Sequence, residues 1–186
     1  MTCSWTDVGT CITTTLAVIL AVGCASAPMA PPAVPAAIEA PSTASPAFRW
    51  FARGTQDYTC TAKADGSGVA WKLTAPDAKL YASADTGATQ VGTHGAGPSW
   101  TATDGSQFVG NAGAAKKAPS PDAASVAWLL VPKKEGASTG TLGGVEYVQR
   151  VDTNGGQPPA TGCDATAVGA TINVPYSATY VFYRGS

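Results

Sequence analysis

Val69-Ala70-Trp71-Lys72-Leu73-Thr74 carries its large apolar side chains on every second residue, with Ala70, Lys72 and Thr74 between them. A period of two sets one face of an extended chain against a core and the other toward water, so this segment reads as a half-buried strand. Val145, Tyr147 and Val151 repeat the pattern, with Glu146 and Arg150 on the opposite phase. Further short runs lie at 49–52, 56–62, 79–82, 89–94, 99–103, 107–110, 126–131, 170–176 and 179–184, bounded by Gly, Pro, Asn and Asp. Asp104-Gly105 between two of them reads as a two-residue hairpin turn. There is no long stretch with a 3.6-residue apolar period and no internal repeat. The pattern predicts an all-β domain, a β-sandwich or barrel-like fold of about ten short antiparallel strands.

The chain has 186 residues and 18.6 kDa, room for one core and an appendage. Lys and Arg number 11 against 12 Asp and Glu, and charged residues make up 12% where about 25% is usual. A net charge of -1 gives no electrostatic footprint for nucleic acid, which is excluded as a partner. The appendage is N-terminal. Ile12 to Val22 is apolar but for Thr13 to Thr15, the length of an export signal and too short to span a bilayer. It ends in Ala21-Val22-Gly23-Cys24, which resembles a lipobox, although Ala21 stands where Leu is preferred and residues 1–11 lack Lys and Arg. Cleavage after Ala25-Ser26-Ala27 would instead leave Pro28 first, a poor product for the ordinary signal peptidase. The expected organisation is a lipoprotein-type signal at 1–23, an Ala/Pro/Ser-rich tether at 24–46 and a β domain at 47–186. Cys24 is the expected lipidation site. The expected location is the bacterial outer membrane or cell envelope, alternatively the periplasm or medium, with the lipid anchor as the one membrane contact.

Cysteine usage follows from that organisation. Cys3 and Cys11 leave with the signal and Cys24 takes lipid, so Cys60 and Cys163 remain and are expected to form a disulfide in an oxidising compartment. A zinc or redox pair is the rival, but there is no Cys-x-x-Cys and His94 is the single imidazole.

That imidazole limits the catalytic options. A Ser-His-Asp hydrolase would use His94 as base, Ser99 or Ser106 as nucleophile and Asp104 or Asp152 as orienter. No Gly-x-Ser-x-Gly elbow supports this, and a loop histidine bonded to backbone is the plainer reading. Asp104 and Asp152 show no ligand spacing for a metal, and none is expected. Trp50, Trp71, Trp100 and Trp128, with Tyr81, Tyr147, Tyr176, Tyr180 and Tyr183, offer a stacking platform with Gln149, Arg150 and Asn154 as polar anchors. Trp71 and Trp128 are expected in the core and Trp100, near a Gly-Pro bend, in a cleft. Arg150 either pairs with Asp152 or Glu146 or presents its charge in a pocket. Candidate ligand-binding residues are His94, Trp100, Arg150 and Asn154; candidate catalytic residues are His94 and Asp104.

The segments Gly92-Thr93-His94-Gly95-Ala96-Gly97-Pro98-Ser99-Trp100, Thr103-Asp104-Gly105-Ser106, Trp128-Leu129-Leu130, Tyr58-Thr59-Cys60 and the stretch from Val145 to Gln149-Arg150-Val151-Asp152-Thr153-Asn154-Gly155-Gly156-Gln157-Pro158-Pro159-Ala160-Thr161-Gly162-Cys163 resemble the domain-of-unknown-function 3455 family over residues 34–186. The resemblance implies an exported protein and supplies no mechanism. The family usually has an aromatic where this chain has Gly95 and an apolar residue where it has Asp57, so a pocket at His94 would lack one wall. Some related sequences carry a malate-dehydrogenase-like label. That activity needs Gly-x-Gly-x-x-Gly between strand and helix, whereas Gly66-Ser67-Gly68 runs straight into Val69-Ala70-Trp71. A dehydrogenase is rejected and no cofactor is expected. The preferred expectation is a non-catalytic binding or structural module whose partner is a small molecule, a glycan or an envelope protein; the alternative is a hydrolase organised around His94.

Overall fold

A computed structural model describes residues 28–134, 136 and 139–185. The expected signal at 1–23 and the lipidation site Cys24 lie outside the described residues. Nine strands follow in order: β1 (Ala44–Ala62), β2 (Val69–Tyr81), β3 (Gln90–Gly95), β4 (Ser99–Ala102), β5 (Gln107–Val109), β6 (Lys116–Ala118), β7 (Trp128–Pro132), β8 (Val145–Gly155) and β9 (Thr171–Gly185). They form one antiparallel sheet in the order β5-β4-β3-β2-β1-β9-β8-β7-β6. The all-β, antiparallel reading of the sequence holds, and the Cys60–Cys163 disulfide is present with its Cα atoms 5.4 Å apart.

The sheet curls until its ends meet. Gly110 bridges Lys133, Asn111 N–H donates to the Pro132 carbonyl at 2.8 Å, and Lys134 N–H donates to the Val109 carbonyl at 2.8 Å. Backbone pairing of the end of β5 with the end of β7 therefore closes the sheet into a barrel, with β6 as a short strand beside the seam. The disulfide takes no part in that closure. With Cys60 N–H donating to Ala170 O and Gly169 N–H to Cys60 O, it pins the loop after β8 onto the far end of β1.

From Phe48 onward in β1, past a bulge between Pro46 and Phe48, and from Tyr176 to Phe182 in β9, even-numbered residues face inward. Trp50, Ala52, Ala178, Tyr180 and Phe182 pack there with Leu80, Trp100, Phe108, Val131 and Val148. Phe48, Trp50 and Phe182 form one aromatic group and His94, Trp100, Tyr180 and Phe108 another. Burying such rings is the largest favourable contribution a barrel of this size has, each removing about 150 to 250 Å² from water.

The long strands absorb several of the expected short ones. Runs 49–52 and 56–62 join in β1, 69–74 and 79–82 in β2, and 170–176 and 179–184 in β9. The apparent breakers between them are tolerated for local reasons. Pro76 and Pro175 pair with Gln56 and Thr55 of β1, while β3 pairs with β2 only from Ala78 and β8 pairs with β9 only from Tyr176. Each proline thus lies where its strand has one open edge, the position at which a missing N–H costs no ladder bond. Gly54 sits between Ala78 and Tyr176 where β1 and β2 approach closely. A Cβ there would collide with the Asp77 carbonyl oxygen.

Three further expectations need correction. The β4–β5 hairpin has three loop residues, because Gly105 N–H donates to Ala102 O and Ala102 N–H to Ser106 O, with Gly105 at φ 83°. This is a turn followed by a left-handed bulge residue. Strict alternation fails in β8, where a bulge between Val145 and Tyr147 changes the phase. Val148 and Arg150 consequently face inward, while Gln149 and Val151 face outward and are also buried. What buries them is the stretch expected as tether. Its described part, from Pro28, includes a 3-10 turn at Ala36–Ile38, and β1 begins at Ala44, ahead of the boundary expected at 47. Ile38 is 0% exposed against Ala118 and Leu130, and Gln149 Nε2 donates to its carbonyl at 2.6 Å. Val34 and Ala40 also cover Tyr147, Val151, Val181 and Tyr183.

Candidate functional site

At one end the barrel is not filled. A cavity of about 450 Å³ opens there, rimmed by Leu73 to Pro76 of β2, Gly97-Pro98 between β3 and β4, and Ala112, Ala115 and Lys117. Its floor and walls include Gln56, His94, Trp100, Leu129, Arg150 and Tyr180. The volume falls within the roughly 300 to 1,000 Å³ typical of small-molecule sites.

Cross-strand register explains the grouping. His94 of β3 stands opposite Trp100 of β4 and Ala78 of β2, while Arg150 of β8 stands opposite Tyr180 of β9 and Leu129 of β7. The chain thus brings together three of the four expected ligand-binding residues, His94, Trp100 and Arg150. The fourth, Asn154, is exposed on β8 and does not line the cavity. Gln149 and Tyr183 bond each other at 2.8 Å on the outer face. Trp100 is buried in the barrel and contributes to both core and cavity wall, whereas Trp71 and Trp128, expected inside, are half-buried: Trp71 donates to Thr161 O, and Trp128 packs outside with the N-terminal segment.

His94 is 4% exposed, its ring stacked on Trp100 with centroids 4.3 Å apart and planes at 14°. Tyr180 meets it edge-on at 5.0 Å. Nδ1 lies 2.8 Å from the Ser99 carbonyl, which can only accept, so Nδ1 carries the proton and Nε2 is the acceptor. Burial holds the imidazole neutral, its pKa lowered to about 3 despite the opposing bond to Ser99, and Arg150 lowers it further.

Arg150 is half-buried and donates from Nε and Nη2 to one carbonyl, that of Ala127, at 3.1 and 2.8 Å. Neither Asp152 nor Glu146 pairs with it. The ion pair among the described residues joins Lys133 to Glu146. No carboxylate lines the cavity among the described residues. Burial raises the Tyr176 and Tyr180 hydroxyl pKa values, so both phenols stay protonated, and the nearby guanidinium offsets this only in part. Two buried donors at the wall lack partners among the described residues, Gln56 Nε2 and Trp100 Nε1. The Gln56 amide is near enough to Tyr176 to favour its ionised form slightly, without reaching hydrogen-bond geometry. Nothing in the sequence marks Gln56, because a glutamine in an alternating strand has no distinguishing pattern.

The hydrolase constellation does not assemble. The Ser99 hydroxyl donates to Ala96 O, and the Ser106 hydroxyl donates to Asp104 Oδ1 at 2.6 Å. Asp104 also accepts from the Thr141 amide and hydroxyl, so it ties the β4–β5 turn to the 3-10 turn Gly140–Leu142. Those bonds, the Ser106 hydroxyl foremost, hold its carboxyl far below the ordinary carboxylate range. Its acceptor sites are engaged in structure, and the orienting position at His94 Nδ1 is held by a backbone carbonyl. Gly95, the last residue of β3, pairs with Ser99 and does not line the cavity, where Gly97 and Pro98 form that part of the rim. Among the described residues there is no cluster of three or more His, Cys, Asp or Glu side chains able to hold a metal.

No curated protein and no solved structure matches this chain. A family model described as a protein of unknown function, DUF3455, matches residues 41–184, spanning all nine strands but for the last residue of β9 and including every residue named in the cavity. The chain therefore belongs to the DUF3455 family.

Proposed function

We propose that this chain is an exported, lipid-anchored protein of the cell envelope whose barrel is a non-catalytic binding module, with its ligand held in the cavity at His94, Trp100 and Arg150. One observation carries the reading: an inward-facing guanidinium without a carboxylate partner shares a small-molecule-sized cavity with two unpartnered donors. A domain filled only for stability would close such a space, because voids and unsatisfied polar groups each cost about 1 kcal/mol or more. Anchoring at Cys24 would hold the module at a membrane surface without any spanning segment.

Native mass spectrometry of protein purified from an oxidising compartment tests the binding role. The expected result is a bound small molecule that is lost in His94→Ala and Arg150→Gln variants of unchanged circular dichroism. A hydrolase organised around His94 is the competing reading, resting on a neutral imidazole with Nε2 free to accept a proton. Turnover of an ester, glycoside or peptide that disappears in folded His94→Ala would establish it and displace the binding role. Labelling with a radioactive fatty acid that is abolished by Cys24→Ala would establish the anchor. Absence of labelling would overturn the anchor and leave the periplasm or the medium as the location to be tested by fractionation.

A further inference from the structure

Resting on the binding reading above, we propose that the cavity takes a small monocarboxylate with an apolar body, its carboxylate paired with Arg150. The polar groups of the cavity are biased toward donation. Arg150 has N–H groups left over after its two bonds to Ala127 O, and Gln56 Nε2 and Trp100 Nε1 are unpaired at the wall. A carbonyl neutralises no charge, so the guanidinium keeps its full positive charge in a partly desolvated site. A planar carboxylate matches its fork with two parallel bonds.

The number of charges is set by the same residues. His94 adds none, because burial keeps it neutral, and the tyrosines add none, because they keep their protons. The other cation on the lining is Lys117, exposed at the rim. One half-buried positive charge at the wall calls for one negative group. The remainder of the lining calls for an apolar body: Leu129, Val131 and Val148 form the walls, and Leu73, 47% exposed, stands at the mouth. Leu73 stands opposite the buried Tyr58 of β1, so a ligand body against it would complete a contact the protein leaves open.

The test is titration calorimetry of the disulfide-bonded protein with two matched pairs, decanoate against decanamide and 3-phenylpropanoate against its amide. The Trp100 indole N–H resonance reports whether the probe enters the cavity. The expected result is that each acid binds at least about tenfold more tightly than its amide, that Arg150→Gln erases the difference, and that Lys117→Gln leaves most of it. Arg150→Lys keeps the charge and should keep a preference for the acid, which holds the test open should the glutamine variant fail to fold. Equal binding of acid and amide, or a preference that survives Arg150→Gln, overturns the carboxylate proposal while the binding role stands. If no probe binds, the ligand class is wrong. The binding role falls with it only if native mass spectrometry of the same sample also finds no small molecule.

Discussion

His94 is uncharged because it is buried, and that makes its protonation part of the folding equilibrium. In the unfolded chain the imidazole titrates near its ordinary value of 6.5, and in the folded chain only near about 3. Between those values the unfolded state binds the extra proton, so stability rises with pH and falls on acidification. The His94 contribution is complete above about pH 6.5 and is lost progressively down to about pH 3, at roughly 1.4 kcal/mol for each pH unit. Asp104, Asp122 and Asp164, whose carboxyls are held low by neighbouring hydroxyls and amides, lose their contributions only below their unfolded value of 3.8. Denaturant unfolding followed from pH 7 to 4 should therefore show a falling stability in the wild type and a nearly flat profile in His94→Gln. A wild-type profile that is itself flat would mean that the imidazole is not held neutral by its surroundings.

At the scale of elements, the N-terminal segment that covers β7, β8 and β9 is a second layer. Ile38→Ala should cost about 2 to 4 kcal/mol, as for other fully buried aliphatic truncations, measured by chemical denaturation. Binding in the cavity should be unchanged, because Ile38 lies on the opposite face of the sheet. That layer was not legible in the sequence, since Ala36-Ala37-Ile38 among prolines has the composition of a linker and gives no periodic signal. Its apolar partners on β8 were half legible. The spacing of Val145, Tyr147 and Val151 marks a strand, but a bulge cannot be seen in a pattern of side chains, and it is the bulge that turns Arg150 inward. Short strands became long ones for a similar reason. Gly54, Pro76 and Pro175 look like punctuation until the open edges and the close approach beside them are known. His94, Trp100 and Arg150 could be singled out by scarcity and chemical type, whereas Gln56 is distinguished only by having no partner where it sits.

For the molecule as a whole, the Cys60–Cys163 bridge links residues 103 apart in sequence. In the chain-entropy account a loop of about 100 residues stabilises by as much as about 4.7 kcal/mol, and often less in practice. Cys60→Ser with Cys163→Ser should lower unfolding free energy by about 2 to 5 kcal/mol, and the reduced wild type should match the double variant. A double variant as stable as the oxidised protein would show that the unfolded chain gains no freedom when the bridge is absent. The strand order has a consequence in time as well as in energy. β1 and β9 are neighbours in the sheet, with Ala44 opposite Gly185, although they lie at opposite ends of the domain's sequence. β2 to β5 extend from one of them and β6 to β8 from the other. A ribosome releasing this chain has therefore delivered both flanks before the strand that joins them exists. Neither flank can close the barrel alone, so the domain waits for its last residues, and its folding belongs with the slow, milliseconds-to-seconds class of non-local β topologies.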